Sequence, residues 1–361
     1  MSAGTFFKTF SSSDRTTTRT LLHEAIPITG TLVSGTYAQV GVPQRNANIK
    51  TYSHGMFQSV YDYPYLSSSA NHIFDITCGF STNVDAGLQT SVSGTATAQV
   101  AKKVNIYNQM AQTLVGYDTN GSIRPFDQDG DLSAGTKIHN AVFLNFSRLL
   151  VKDEIKKGSF RLDLGRAESH GAPFTDVSYI TDTGAETSYK VNSPAGEYGL
   201  LKSGSGGSAV NVGLIYYQAG IAVLTSSVVD SGLLSGSDFP YADNKLESFH
   251  NLLTGSSIDT FADSFRHRIS NISFNNTTEL NSTIYFCRAN HNEFNYSSNP
   301  TYLNGSKIRV KNENILAPPK SYVTTVGLYS ADNELLAVAK LSEPLRKDPS
   351  NELTLRVRLD Y

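Results

Sequence analysis

The sequence predicts a mainly β fold with a few helices, arranged as a β-sandwich or curled antiparallel sheets with one amphipathic helix packed on them. Three observations carry this. The composition leans to Ser, Thr, Asn and Gly, and to 19 Tyr and 18 Phe without Trp, the vocabulary of strands joined by tight turns. Near the end of the chain Leu353, Leu355, Val357, Leu359 and Tyr361 alternate with Thr354, Arg356, Arg358 and Asp360, the period-two pattern of a half-buried strand. The clearest helical period spans Ala98 to Val115, where Val100, Val104, Tyr107, Met110, Ala111 and Leu114 recur mainly at spacings of three and four.

Taken in order, Ser11 to Thr20 is polar and β-branched without a sustained apolar face, so residues 1–24 read as an exposed arm. A β-rich body is expected over 25–262. It opens with an edge strand at Ile26 to Val33, then an irregular tyrosine-rich segment from Thr51 to Leu66, then a strand at His72 to Phe80. In the helix that follows, Lys102, Lys103 and Asn105 are assigned to the solvated side, and Gly116 supplies the stop. Val142 to Phe146 and Ser159 to Leu164 read as strands around a charged connection, while Phe174 to Lys190 shows no clear period. Glu197 to Lys202 resumes strand character, and Val210 to Tyr217 reads as a strand continuing toward Leu224. Short helices are expected at Asn244 to Leu253 and, more weakly, at Ile258 to Phe265.

From 263 to 361 the sequence predicts an antiparallel β region, continuous with the body or separate from it. Arg266 to Phe274 and Ser282 to Ala289 are two strands joined by Asn275 to Glu279. Tyr322 to Tyr329, Leu335 to Leu341 and Leu353 to Tyr361 then follow as three antiparallel strands, with Pro344 and Pro349 framing the last connection.

With 361 residues the chain can bury a proper core without disulfides. Its 17% charged residues and net charge of −2 offer no basic field for nucleic acid or an anionic membrane, so neither is expected as a partner. Cys78 and Cys287 lack metal-ligand spacing and are expected as free, buried thiols. The first residues show no basic region followed by an apolar core, and no apolar run approaches the roughly 20 residues that span a bilayer. A soluble, unsecreted protein is expected, and Asn271, Asn276 and Asn281 are read as strand-edge polar residues, not glycan sites.

Catalytic chemistry leaves no constellation here. His23-Glu24 lacks the second histidine of a zinc helix, no Gly-X-Ser-X-Gly elbow occurs, and Lys202-Ser-Gly-Ser-Gly-Gly-Ser208 has the wrong order for a phosphate loop. Asp127-Gln-Asp-Gly-Asp131 sets three carboxylates on alternating positions, as a hard cation would need. Its glycine falls at the fourth position instead of the sixth, however, and Ile138 stands where an EF-hand has its glutamate. It is read as an ordinary acidic turn. No catalytic residue, cofactor or metal is expected, although a carboxylate pair assembled from distant residues stays open. The remaining candidates are contact residues: Arg15 and Arg19 in the arm, and Phe294, Tyr296, Tyr322 and Tyr329, whose rings offer either rigid contact area or core packing.

The run Tyr322-Val-Thr-Thr-Val-Gly-Leu-Tyr-Ser-Ala-Asp-Asn-Glu-Leu-Leu-Ala-Val-Ala-Lys-Leu341, closing on Arg356-Val-Arg-Leu-Asp-Tyr361, resembles the C-terminal end of virion structural proteins from contractile-tailed, T-even-like marine bacteriophages. Asn292 to Pro300 and Phe143 to Gly158 resemble the same group. The resemblance covers about a third of the chain in separated blocks. It implies a non-enzymatic tail subunit, of baseplate or wedge, assembled in the host cytoplasm. It implies several copies, or a homo-oligomer, among other tail and baseplate proteins. A neck or fibre-attachment collar, or a host-glycan-binding or depolymerising tail module, are the alternatives.

Overall fold

The computed structural model describes residues 7–27, 48–81, 98–133, 135–165, 177–204, 209–225, 228, 257–266, 269–300, 303–305, 314 and 316–361. The protein is mainly β with a few helices. Its two compact units do not follow chain order: Leu22–Thr278 forms one, and Met1–Leu21 with Glu279–Tyr361 forms the other. This division differs from the expected arm, body and C-terminal region. One boundary falls inside strand β1 (Arg15–Pro27), the other inside β14 (Ile269–Ala289).

The larger unit is built on an antiparallel sheet in the order β14, β9 (Arg161–Gly165), β10 (Val177–Thr181), β11 (Tyr198–Ser203), β12 (Val210–Tyr216), β13 (Ile221–Thr225), β7 (Asn140–Phe146), β4 (His72–Phe80), β3 (Gln58–Tyr61), β2 (Ile49–Thr51). β8 (Glu154–Ile155) adds a short pairing to β14, and β5 (Phe126–Asp127) pairs with β6 (Lys137–Ile138) in a small separate sheet. The centre of the sheet is the most apolar part. Ala141, Val142, Phe143 and Leu144 of β7 are all fully buried, which is why that strand reads as a continuous apolar run instead of an alternation.

Helix α1 (Ala98–Leu114) lies against β4, and Gly79 makes the approach possible. A Cβ at that position would stand 2.6 Å from the Lys103 carbonyl oxygen and 2.8 Å from the Tyr107 nitrogen, so only glycine fits. The buried stripe is Lys103, Ile106, Tyr107, Ala111 and Leu114. This corrects the expected solvated side: Lys103 is fully buried, and Val100, Val104 and Met110 are only partly so. The Tyr107 hydroxyl donates to the Ile138 carbonyl at 2.6 Å and accepts from the Phe126 amide at 3.2 Å, which ties the helix to both strands of the small sheet.

Two one-turn helices, α2 (Arg148–Val151) and α3 (Ala185–Ser188), punctuate the sheet, α3 and β10 falling where no period was visible. Helix α4 (Ile258–Arg266) packs Ile258, Phe261, Ala262 and Phe265 inward at helical spacing. It extends the weak helix expected at 258–265, and the strand expected from Arg266 begins at Ile269 instead. The helix expected at 244–253 lies outside the described residues, as do most of the edge strand expected at 26–33 and the centre of the 203–208 loop.

Three further expectations are overturned. The run after Tyr217 does not continue β12: it turns at Gly220, whose φ is +68°, and returns antiparallel as β13. Asn275 to Glu279 is no connection but the middle of a single strand of 21 residues. Its polar groups are matched by distant partners, since the Asn276 amide donates to the Leu150 carbonyl at 2.9 Å and the Thr277 carbonyl accepts from the Asp153 amide at 3.1 Å. Residues 15–27, expected within or beside an exposed arm, are strand β1 paired to β14.

In the smaller unit β1 and β17 (Leu353–Asp360) both pair with β14, and the Thr17 and Thr283 hydroxyls meet at 3.1 Å. β15 (Ser321–Tyr329) and β16 (Leu335–Lys347) form a separate hairpin. The last three strands are therefore not consecutive neighbours, because β17 spends its ladder on β14 and not on β16. Pro344 sits inside β16, where the register jumps between Thr325↔Lys340 and Val323↔Leu345. A proline in a strand is accommodated at such an irregularity.

Candidate functional site

The smaller unit combines long strands with almost no core. Among the described residues Leu328 and Val357 are its only buried apolar side chains, whereas the larger unit holds all the others. On the hairpin the apolar residues divide by face. Leu328 is buried and Val326, Ala337 and Ala339 are half-buried on one side. On the other, Tyr329 is 58% exposed, Leu335 53% and Val338 51%. Gly327 lies among them: a Cβ there would stand 3.0 Å from Tyr329 Cε2 and 3.3 Å from Leu335 Cδ1. The result is an apolar patch open to solvent at the turn end of the hairpin.

All six expected contact residues fall in this unit. Arg15 is exposed on β1, and Arg19, also exposed, pairs with Glu279. Phe294, Tyr296, Tyr322 and Tyr329 all keep much of their rings in water. Phe294 has a φ of +53°, and its carbonyl accepts the Ser321 hydroxyl, which brings the 292–296 segment to the start of β15 beside Tyr322. Tyr329, seven residues on, lies about 23 Å further along the strand, so the structure does not gather the four rings into one cluster.

Sequence reasoning missed the residues that fix this arrangement. Lys347 is fully buried, and its ammonium donates to the Asn295 side-chain oxygen at 2.6 Å, the Asp348 carbonyl at 3.0 Å and the His291 carbonyl at 3.3 Å. Burial lowers its pKa against the pull of Asp348, Glu293 and Glu352. Lys8 pairs with Glu293 at 2.8 Å, and Phe10 packs its ring 5.3 Å from that of Tyr285. Leu335, Leu336 and Val338 were legible as a strand but not as its uncovered face.

The larger unit contains a second feature. Asp127, Asp129 and Asp131 each bring one carboxylate oxygen within 4.8 Å of the other two. Asp127 Oδ2 accepts the Leu132 amide at 2.6 Å and the Lys137 ammonium at 3.0 Å. Burial pushes the Asp127 carboxyl above its ordinary range, against the pull of Lys137. The Ser133 amide donates to Asp131 Oδ1 at 2.7 Å. The Tyr198 hydroxyl at 3.0 Å and the Asn192 amide at 3.1 Å hold the Gly130 carbonyl, fastening the turn to the sheet.

No protein-family model, curated protein or solved structure matches the chain. Among the described residues no helix is long and apolar enough to cross a membrane.

Proposed function

We propose that the chain is a non-enzymatic structural subunit of a contractile-tailed bacteriophage virion, a baseplate or wedge component working through protein–protein interfaces. The observation that carries this reading is the smaller unit: five strands or parts of strands with two buried apolar side chains among its described residues. A two-stranded hairpin is marginal in water by itself, and an apolar face left open on it is the signature of a surface that a partner covers. The longest block of phage resemblance, Tyr322 to Leu341, is this same hairpin. A near-neutral chain suits packing among other proteins better than gripping a genome.

The test is reconstruction of intact particles by electron cryo-microscopy with the fold fitted to the density. Density at the baseplate beside the tail tube is the expected result. Density at the neck or on a fibre overturns the baseplate placement, and absence from the particle overturns the reading.

A further inference from the structure

We propose that Lys347 and Asn295 form an intramolecular isopeptide bond, the Lys347 amine displacing ammonia from the Asn295 side-chain amide. Three observations within the smaller unit carry this: the two groups are in contact, the lysine meets only neutral oxygens, and the unit has almost no core to hold its strands.

Lys347 is fully buried at the end of β16, with its nitrogen 2.6 Å from Asn295 Oδ1. The amide carbon is one bond of about 1.23 Å further on, hence no more than about 3.8 Å from the amine. That is the edge of the near-attack range of about 3–3.5 Å. The other partners of Lys347 are the carbonyl oxygens of Asp348 at 3.0 Å and His291 at 3.3 Å, so among the described residues no carboxylate pairs with it directly. A buried ammonium in that position gains little from its charge, and the neutral amine is the nucleophilic form. Asp348, Glu293 and Glu352 favour the charged form from further off, and burial outweighs them. The two hydrogens of the neutral amine suffice for the Asp348 and His291 carbonyls, which leaves its lone pair for the Asn295 carboxamide. The Asn295 Nδ2 donates to the His291 carbonyl at 2.6 Å, and this holds Oδ1 turned toward the lysine.

The step balances without a co-reactant. A bond forms from Nζ to Cγ as the carbonyl electron pair moves onto Oδ1, and one Nζ proton passes to Nδ2. The pair then returns, the Cγ–Nδ2 bond breaks, ammonia leaves, and the second Nζ proton stays on the new secondary amide. Asn295 is half-buried, so water has access to carry the proton and take up the ammonia. The bond joins residues 52 positions apart, fastening the 291–296 segment to the end of β16. Folds short of core are commonly held by a covalent staple, and the cysteine of this unit, Cys287, is free. The inference is independent of the virion role proposed above.

The experiment is mass spectrometry of the purified full chain, intact and after proteolytic digestion. The expected result is an intact mass below that of the sequence by one ammonia, with a branched peptide joining Asn295 to Lys347. Lys347→Arg and Asn295→Ala should both keep the full sequence mass, with circular dichroism reporting that they fold. If either fails to fold, the branched peptide of the wild type decides by itself. Folded wild-type protein that stays at full mass after prolonged incubation overturns the proposal. So does loss of ammonia with the two residues in separate peptides, which is cyclisation of an asparagine on its own backbone.

Discussion

The Tyr217 hydroxyl donates to Asp182 Oδ2 over 3.0 Å, and the carboxylate that receives it is completely buried. Asp182 also accepts the Gly158 amide at 2.7 Å and the Phe160 amide at 2.9 Å, so one side chain satisfies three donors around the connection from β8 to β9. Removing it strands all three. Asp182→Ala is expected to cost about 3 kcal/mol or more, from about 1–3 kcal/mol for each buried group left unpaired, read from urea unfolding.

The same carboxyl has a pH signature. Burial raises its pKa above the ordinary carboxylate value, outweighing the three hydrogen bonds that oppose it. The folded state then holds the proton more tightly than the unfolded chain, so the contribution is complete below the unfolded carboxylate pKa and declines as pH rises through the folded one. The stability gap between wild type and Asp182→Ala should narrow from about pH 4 upward. A gap that widens with pH would show that the hydrogen bonds prevail over burial.

Two glycines should respond oppositely to alanine. At Gly79 the added carbon meets backbone atoms of α1 that cannot move away, and overpacking of this kind costs about 1–3 kcal/mol. At Gly327 it meets the tips of exposed side chains, and the change should stay within about 0.5 kcal/mol. Chemical denaturation of the two variants side by side measures both.

The hairpin patch separates folding from assembly. Tyr329→Ser and Val338→Ser alter exposed side chains, so each should leave stability within about 0.5 kcal/mol of wild type. If the proposed virion role holds, incorporation of the folded variants into particles, read by gel analysis after purification, should drop sharply. Variants that assemble normally would remove this patch from the interface.

The cysteines differ in environment, contrary to the expectation that both are buried. Cys78 is buried with its thiol pushed up to about 12, whereas Cys287 is only half-buried, though burial raises its pKa too. Maleimide should label Cys287 in the native protein and reach Cys78 only after unfolding, because the accessible thiolate is the reactive form. Mass spectrometry of labelled peptides distinguishes the two.

Elements whose pattern is local were legible in the sequence. His72 to Phe80, the helix from Ala98 and the strand at Leu353 were all placed within a residue or two, because period and stop signals lie within each segment. What failed depended on distant partners. Asn276 and Thr277 read as part of a connection because their matching groups, on Leu150 and Asp153, are more than a hundred residues away. Lys103 read as solvent-facing because charge is a poor guide where a glycine on another element draws a helix close. At the acidic turn the alternation of Asp127, Asp129 and Asp131 already suggested that their carboxylates converge, whereas nothing local signalled the left-handed conformation of Leu132 beside them. The hairpin patch was half visible: period two assigns residues to faces without saying which face finds cover.

The meeting of Thr17 with Thr283 spans 266 residues of chain, and that separation has a cost in time. At translation rates of about 5–20 residues per second, the first strand waits roughly 13–50 s on the ribosome before its partner exists. Through that interval an unpaired strand with free amides and carbonyls stands open to any other nascent edge. Its makeup, threonines interrupted by Arg15 and Arg19, keeps it hydrated while it waits and makes premature pairing with another copy unfavourable, because aligned arginines repel.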